Sequence, residues 1–115
     1  MDTKKETMVE PETEKQKVIS LLQLARKAGK LGKGFDSTIR SCRSRKAFIV
    51  LIAKDLSESS RKRVLYLTEE TGVPVFEMFT KSEMSELFDS QEIGILSVND
   101  VNFAQGLKKY LHPLQ

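Results

Sequence analysis

The sequence predicts an α/β protein, a three-layer α/β/α sandwich with a small mixed sheet, and three observations carry that prediction. AFIVLIA, residues 47–53, is a continuous apolar run rich in β-branched side chains, the pattern of a strand covered on both faces. Segments with apolar residues at three- and four-residue spacing alternate with short strand-like segments along the chain. The stretches between them have the lengths typical of compact α/β units. A chain of 115 residues, 39% hydrophobic and 30% charged, can bury one core and is short for two. Residues 15–115 are therefore read as one domain, behind a disordered acidic tail over residues 1–14 that holds Pro11, many charges and little to bury.

Thr13 can cap a first helix in which Val18, Leu21, Leu22, Ala25 and Ala28 share a face, with Gly29 at its left-handed end. Leu31 to Lys33 is a short extended piece. Gly34 opens a second helix with Phe35, Ile39 and Cys42 inward and Arg40 and Arg43 outward. After the strand at 47–53, Ser57 caps a helix with Val64 and either Leu67 or Leu65 inward, ending at Gly72. VPVFEMF is a strand with Pro74 near its start, where a missing N–H is tolerated. KSEMSELF is a short helix presenting Met84, Leu87 and Phe88, and IGILSV is a strand. Asn99 or Asp100 then caps a last helix burying Phe103, Ala104, Leu107 and Leu111.

No apolar run approaches the ~18 residues of a membrane span, and MDTKKETMVEPETEK is acidic where a secretory signal is basic and then apolar. The expected location is the cytoplasm. Cys42 is the only cysteine, which excludes an intramolecular disulfide and a cysteine-cluster zinc site; it reads as a half-buried helix thiol. His112, the only histidine, stands beside Pro113 and reads as part of a terminal loop. Asp55, Ser57 and Glu58 read as a helix-capping loop. With neither metal-ligand spacing nor a nucleophile beside a base, the chain is read as no enzyme, without metal, cofactor or small-molecule substrate.

The formal charge of +3 conceals an asymmetry. Residues 1–14 carry two lysines against five acids, −3 in all, so residues 15–115 carry +6. From Arg26 to Lys46 eight basic residues face Asp36 alone, a bias that favours a polyanionic partner. Within that run, AGKLGKGFDSTIR is not a phosphate loop: Gly29 and Gly34 have Walker spacing, but Phe35 and Asp36 follow in place of Lys and Ser or Thr. The dinucleotide fingerprint fails as well, because Ser37 stands where its third glycine belongs. What the stretch does provide is a sharp glycine turn into a helix whose first exposed side chains are Asp36 and Ser37. Arg40 stands one turn on, and Lys30 and Lys33 flank the edge.

LLQLARKAGKLGKGFDSTIRSCRSRKAFIVLIAKDLSESSRKR resembles the kink-turn-binding ribosomal protein family of the large-subunit seven-Ae and thirty-e type, and most closely its small bacterial YlxQ-type members. The resemblance covers roughly residues 17–111. It rests on the AGKL turn before a glycine-initiated helix, on IVLIAKDLSESS, and on VPVF followed by a Lys-Ser-Glu-Met helix. It implies the same sandwich and a Gly-x-Asn-Glu-x-x-Lys pattern that reads guanine edges in the sheared G·A pairs of a kink-turn. Carried over, the glycine falls on Gly34, the asparagine on Asp36, the glutamate on Ser37 and the lysine on Arg40. A loop covering an extruded base falls on Met78, Phe79 and Thr80, where Phe79 is either a stacking ring or a core aromatic.

Three positions depart from the pattern. Asp36 has no donor for guanine O6 or N7, and Ser37 is shorter than glutamate. A guanidinium at Arg40 can address O6 and N7 together. The resemblance and the basic run together imply a monomeric RNA-binding protein of the translation apparatus. It would be ribosome-associated and take a structured, ribosomal RNA on Gly34, Asp36, Ser37 and Arg40, with Lys30, Lys33 and Arg43 on phosphates. The alternative is a protein-interaction module that kept the fold and lost sequence-specific RNA reading, favoured by Asp36, Ser37 and a serine at Ser85 where the family usually has glycine.

Overall fold

The computed structural model describes residues 13–89 and 93–114. Residues 1–12 of the expected acidic tail lie outside that range, whereas Thr13 and Glu14 already belong to the first helix, α1 (Glu14–Lys27). The Thr13 hydroxyl accepts from the Gln16 N–H and the Gln16 side chain accepts from the Thr13 N–H. This reciprocal cap satisfies two of the N–H groups that a helix start leaves open. Val18, Leu22 and Ala25 form the buried stripe, Leu21 packs at its margin, and Ala28 is the exposed C-cap rather than part of that face. Gly29, at φ 70°, turns the chain out of the helix.

Four strand–helix pairs follow in the predicted order. β1 (Leu31–Lys33) leads directly into α2 (Gly34–Arg43), and β2 (Ile49–Ile52) is buried at every position. α3 (Glu58–Thr71) is capped by the Ser57 hydroxyl, which accepts from Ser60 N–H, and ends at Gly72 with φ 77°. β3 (Val75–Glu77), α4 (Lys81–Leu87), β4 (Ile95–Val98) and α5 (Val101–Lys108) complete the alternation. Between the two candidate caps of α5 it is Asp100 that accepts from the backbone of Asn102 and Phe103. Leu67, not Leu65, faces the core. His112 and Pro113 are a two-residue edge strand, β5, and not a loop: His112 pairs with Glu77 and Pro113 with Phe76. A proline is admissible there because an edge strand need not donate on both sides.

The strands run in the order β1-β4-β2-β3-β5, with β2 and β3 parallel and every other pair antiparallel. The mixed sheet follows from connectivity: α3 carries the chain from β2 across to a parallel β3, while β4 returns between β1 and β2. Alternation along the strands divides the core in two. Ile49, Leu51, Phe76, Leu96 and Val98 face α1, α4 and α5, joined by Val18, Leu22, Met84 and Leu107. Val50, Ile52, Val75 and Ile95 face α2 and α3 with Cys42, Val64 and Leu67. With Leu51 fully buried, Leu51→Ala costs about 2–5 kcal/mol by lost transfer energy and the cavity left behind.

One part of the second layer is polar. Thr38 and Ser41 of α2 are buried beside Ser97 of β4, whereas Phe35 and Ile39, expected inward, are only half-buried at the border with α3. The reason is Gly32, which sits opposite Ser97 in the β1–β4 ladder and lets α2 lie close on the sheet edge. A Cβ built there would fall 2.7 Å from Ser97 Oγ and 3.1 Å from Ser41 Oγ. Small side chains at 38, 41 and 97 are what fits under a helix at that distance.

Candidate nucleic-acid interface

Gly34, with φ 87°, is the first residue of α2, and no other atoms crowd it. The glycine is required by the backbone angle, which is strained for a residue with a Cβ. Lys33 occupies the N-cap position and makes no side-chain cap, so the opening turn of α2 is unblocked on its outer side. Asp36 is exposed there and Ser37 half-buried behind it. Arg40 reaches back one turn, its guanidinium donating to Ser37 Oγ at 3.4 Å. The predicted edge of Gly34, Asp36, Ser37 and Arg40 is thus assembled on one side of one helix, with Lys33 and Lys30 exposed on the preceding segment. Lys30 is held by its backbone, whose carbonyl accepts from Asn99 N–H at 2.8 Å.

Three residues expected at the site from the sequence have structural partners of their own. Arg43 does not join the edge: its guanidinium forms a two-point pair with Glu70 of α3, both contacts at 3.2 Å, on the opposite flank of α2. Phe79 is 1% exposed and packs in the larger core cluster, so no face is left on which a base could stack. Thr80 is occupied as the cap of α4, exchanging hydrogen bonds with Glu83. Met78, half-buried, also packs against that core. The segment Met78 to Thr80 does reach the same end of the sheet as Gly34, since Lys33 is level with Leu96 and Glu77 with Ile52. Two strands, β4 and β2, intervene between β1 and β3, a separation of roughly 14 Å at ~4.8 Å per strand.

What lies nearer to the edge is the end of α4, because β4 neighbours β1. Lys33 Nζ sits 5.9 Å from the ring centre of Phe88, which is itself core. Residues 90–92 of the following connection lie outside the described residues. Lys54 and Lys81 arrive at the same end: the Lys54 N–H donates to Phe79 O at 2.7 Å, and the Lys81 stem lies against Gly94. Asp55, read as part of the loop capping the helix that follows it, instead accepts from the Lys81 N–H at 2.8 Å and so braces α4. Neither lysine was legible as a site residue in the sequence, because only the sheet order brings them to the same end of the sheet as Gly34.

Along α2 beyond Arg40 the surface continues as an open groove of about 440 Å³ lined by Leu31, Gly32, Ser37, Arg40, Ser41, Ser44, Lys46 and Asn99. Asn99 Nδ2 donates to Ser41 Oγ at 3.1 Å, and the Ser44 hydroxyl donates to Arg40 O at 2.7 Å. Ser97 Oγ and Asn99 Oδ1 are buried below it without a hydrogen-bond partner among the described residues. The ion pairs found among the described residues, Lys15–Glu83, Arg43–Glu70 and Arg61–Glu77, use neither Arg40 nor Lys46.

A small α/β/α sandwich that presents a glycine-opened helix edge ringed by lysines defines the class. The model of the ribosomal protein L7Ae/L30e/S12e/Gadd45 family matches residues 16–107, and the chain belongs to that family. A protein of Enterococcus faecium described as RNA-binding protein YlxQ is 34% identical over 100 residues, spanning 87% of this chain and 96% of that relative. Among solved structures, a Bacillus halodurans protein of unknown function superposes with a TM-score of 0.76 at 21% identity, covering 82% of this chain and 95% of its own. That likeness speaks to the fold.

Proposed function

We propose that this protein binds a structured, kink-turn-like RNA of the translation apparatus, acting as a cytoplasmic monomer associated with the ribosome. The observation that carries the reading is the opening turn of α2, where Gly34, Asp36, Ser37 and Arg40 form one solvent-facing edge beside Lys30 and Lys33. Family membership and the Enterococcus faecium relative support it. In this reading Arg40 leaves Ser37 and takes guanine O6 and N7, a contact worth ~1–3 kcal/mol of discrimination between bases. Asp36 serves as an acceptor: a carboxylate cannot donate to O6 but accepts from the guanine amino group. The lysines hold phosphates and set the salt dependence.

The test separates the two roles. Arg40→Ala should cost affinity for the cognate RNA and little for unrelated RNA, while Lys33→Ala should weaken every RNA alike and lower the salt slope by about one. Cognate binding untouched by Arg40→Ala contradicts the assignment. Asp36 and Ser37, by replacing the amide and glutamate of the family pattern, favour a second reading in which the chain is a protein-interaction module. Partners that stay bound after ribonuclease treatment would support it, and their complete loss would count against it.

A further inference from the structure

We propose that the groove running along α2 away from the guanine-reading edge seats a phosphate of the same RNA strand, with Lys46 and Ser41 as ligands beside Arg40; this rests on the RNA reading above. Ser37, Arg40, Ser41 and Ser44 stand at helical spacing on one side of α2, and the chain doubles back after the helix to bring Lys46 to the groove's far wall. That return is fixed by the Lys46 and Ala47 N–H groups, which both donate to Ser41 O, at 2.8 and 3.0 Å. It requires Arg45 to adopt φ 62°, an uncommon conformation for a residue with a side chain.

The hydrogen-bond directions make the groove a donor site. Ser41 Oγ already accepts from Asn99 Nδ2, and Ser37 Oγ from Arg40. Each hydroxyl therefore has its own proton left to give. Ser44 is different, since its proton is spent on Arg40 O. Two hydroxyl donors, a guanidinium and an ammonium converge on a groove whose lining contains no carboxylate. With Arg40 engaged on the guanine, the two hydroxyls and the Lys46 ammonium, three donors with a charge of +1, match the non-bridging oxygens of a phosphodiester. A ten-residue helix is about 15 Å long, so one strand reading its start can also lay a phosphate along its flank. Asn99 acts as a positioning residue, turning the Ser41 hydroxyl toward the groove.

The full-length chain is titrated with a kink-turn hairpin RNA carrying sheared G·A pairs and intact flanking stems, between 50 and 300 mM salt. Lys46→Gln should lose roughly fivefold to tenfold in affinity at 0.1 M salt and reduce the salt slope by about one, as removal of a single phosphate contact does. Arg45→Gln changes the same charge one residue away, on a side chain that lines a different cleft with Phe48 and Pro74, and should leave the slope unchanged. The same RNA is then made with one neutral methylphosphonate linkage at a time. One position should weaken the wild-type chain and leave Lys46→Gln unaffected. Equal losses for Lys46→Gln and Arg45→Gln, or no linkage whose effect disappears in Lys46→Gln, would overturn the inference while Arg40-dependent binding persists. Absence of RNA binding by the wild-type chain overturns the RNA reading, and this inference with it.

Discussion

Gly32→Ala probes the contact on which the geometry of the site depends. The added methyl would lie 2.7 Å from Ser97 Oγ, 3.1 Å from Ser41 Oγ and 3.4 Å from Ser37 Cβ. Ordinary contacts are about 3.5–4.0 Å, so the first must open by roughly an ångström. Ser97 is fully buried in β4 between β1 and β2, which leaves α2 as the element able to move. Overpacking of this kind costs about 1–3 kcal/mol. For a domain of this size that corresponds to a fall in Tm of roughly 4–8 °C per kcal/mol, read by chemical and thermal denaturation. Ser97→Ala should be nearly neutral alone, because its hydroxyl has no partner to lose. In the double variant most of the Gly32→Ala cost should vanish, giving a coupling energy of about 1 kcal/mol or more. A Gly32→Ala protein as stable as wild type, or a cost undiminished by Ser97→Ala, would refute the close approach of α2 to the sheet.

Three other outcomes follow from the structure. Arg43→Ala should leave RNA affinity within twofold of wild type while Arg40→Ala does not, because Arg43 is bound to Glu70 on the far flank; equal losses in a binding titration would return Arg43 to the interface. Burial pushes the Cys42 thiol above its ordinary value, outweighing a hydrogen bond with Thr71, so a thiol reagent at neutral pH should react only as the protein unfolds. Hydrogen bonds from Lys15 and from the Thr80 N–H hold the Glu83 carboxyl below its ordinary value. A lowered folded-state value stabilises above the unfolded value of about 4.3 and is lost as pH falls from there through the depressed one. Comparing wild type with Glu83→Gln across pH 3–7 should therefore show a stability difference that is flat above pH 5 and shrinks on acidification.

Local signals and tertiary adjacency were unequally readable in the sequence. The apolar run at 47–53 named a strand covered twice, and it is β2, central and buried on both faces. Gly29, Gly34 and Gly72 marked where helices end or begin, and the backbone adopts a positive φ at all three. The buried face of α2 was read in part: Cys42 is buried and Phe35 and Ile39 pack at the margin of the core, while Thr38 and Ser41, which hydrophobicity does not point to, are pressed onto the sheet edge. Only the placement of Gly32 opposite Ser97 explains that choice, and strand pairing is not written in either residue. The same limit applies at the site. Gly34, Asp36, Ser37 and Arg40 lie within two helical turns, so spacing alone assembles them. Lys46 returns to α2 through the turn at Arg45, whereas Asn99, Lys54 and Lys81 come from segments that only the strand order brings to this side of the sheet. Phe79 and Phe88 carry equal aromatic signals in sequence, and both are core.

The central claim is that the start of α2 reads a kinked RNA. Its most direct test is the affinity of the protein for a kink-turn RNA against the same RNA with the sheared G·A pairs converted to Watson–Crick pairs, at one near-physiological salt concentration. A preference of tenfold or more, about 1.4 kcal/mol, is the predicted result. Equal affinities would mean that only charge is sensed, and would contradict the assignment of Gly34, Asp36, Ser37 and Arg40 as a reading edge.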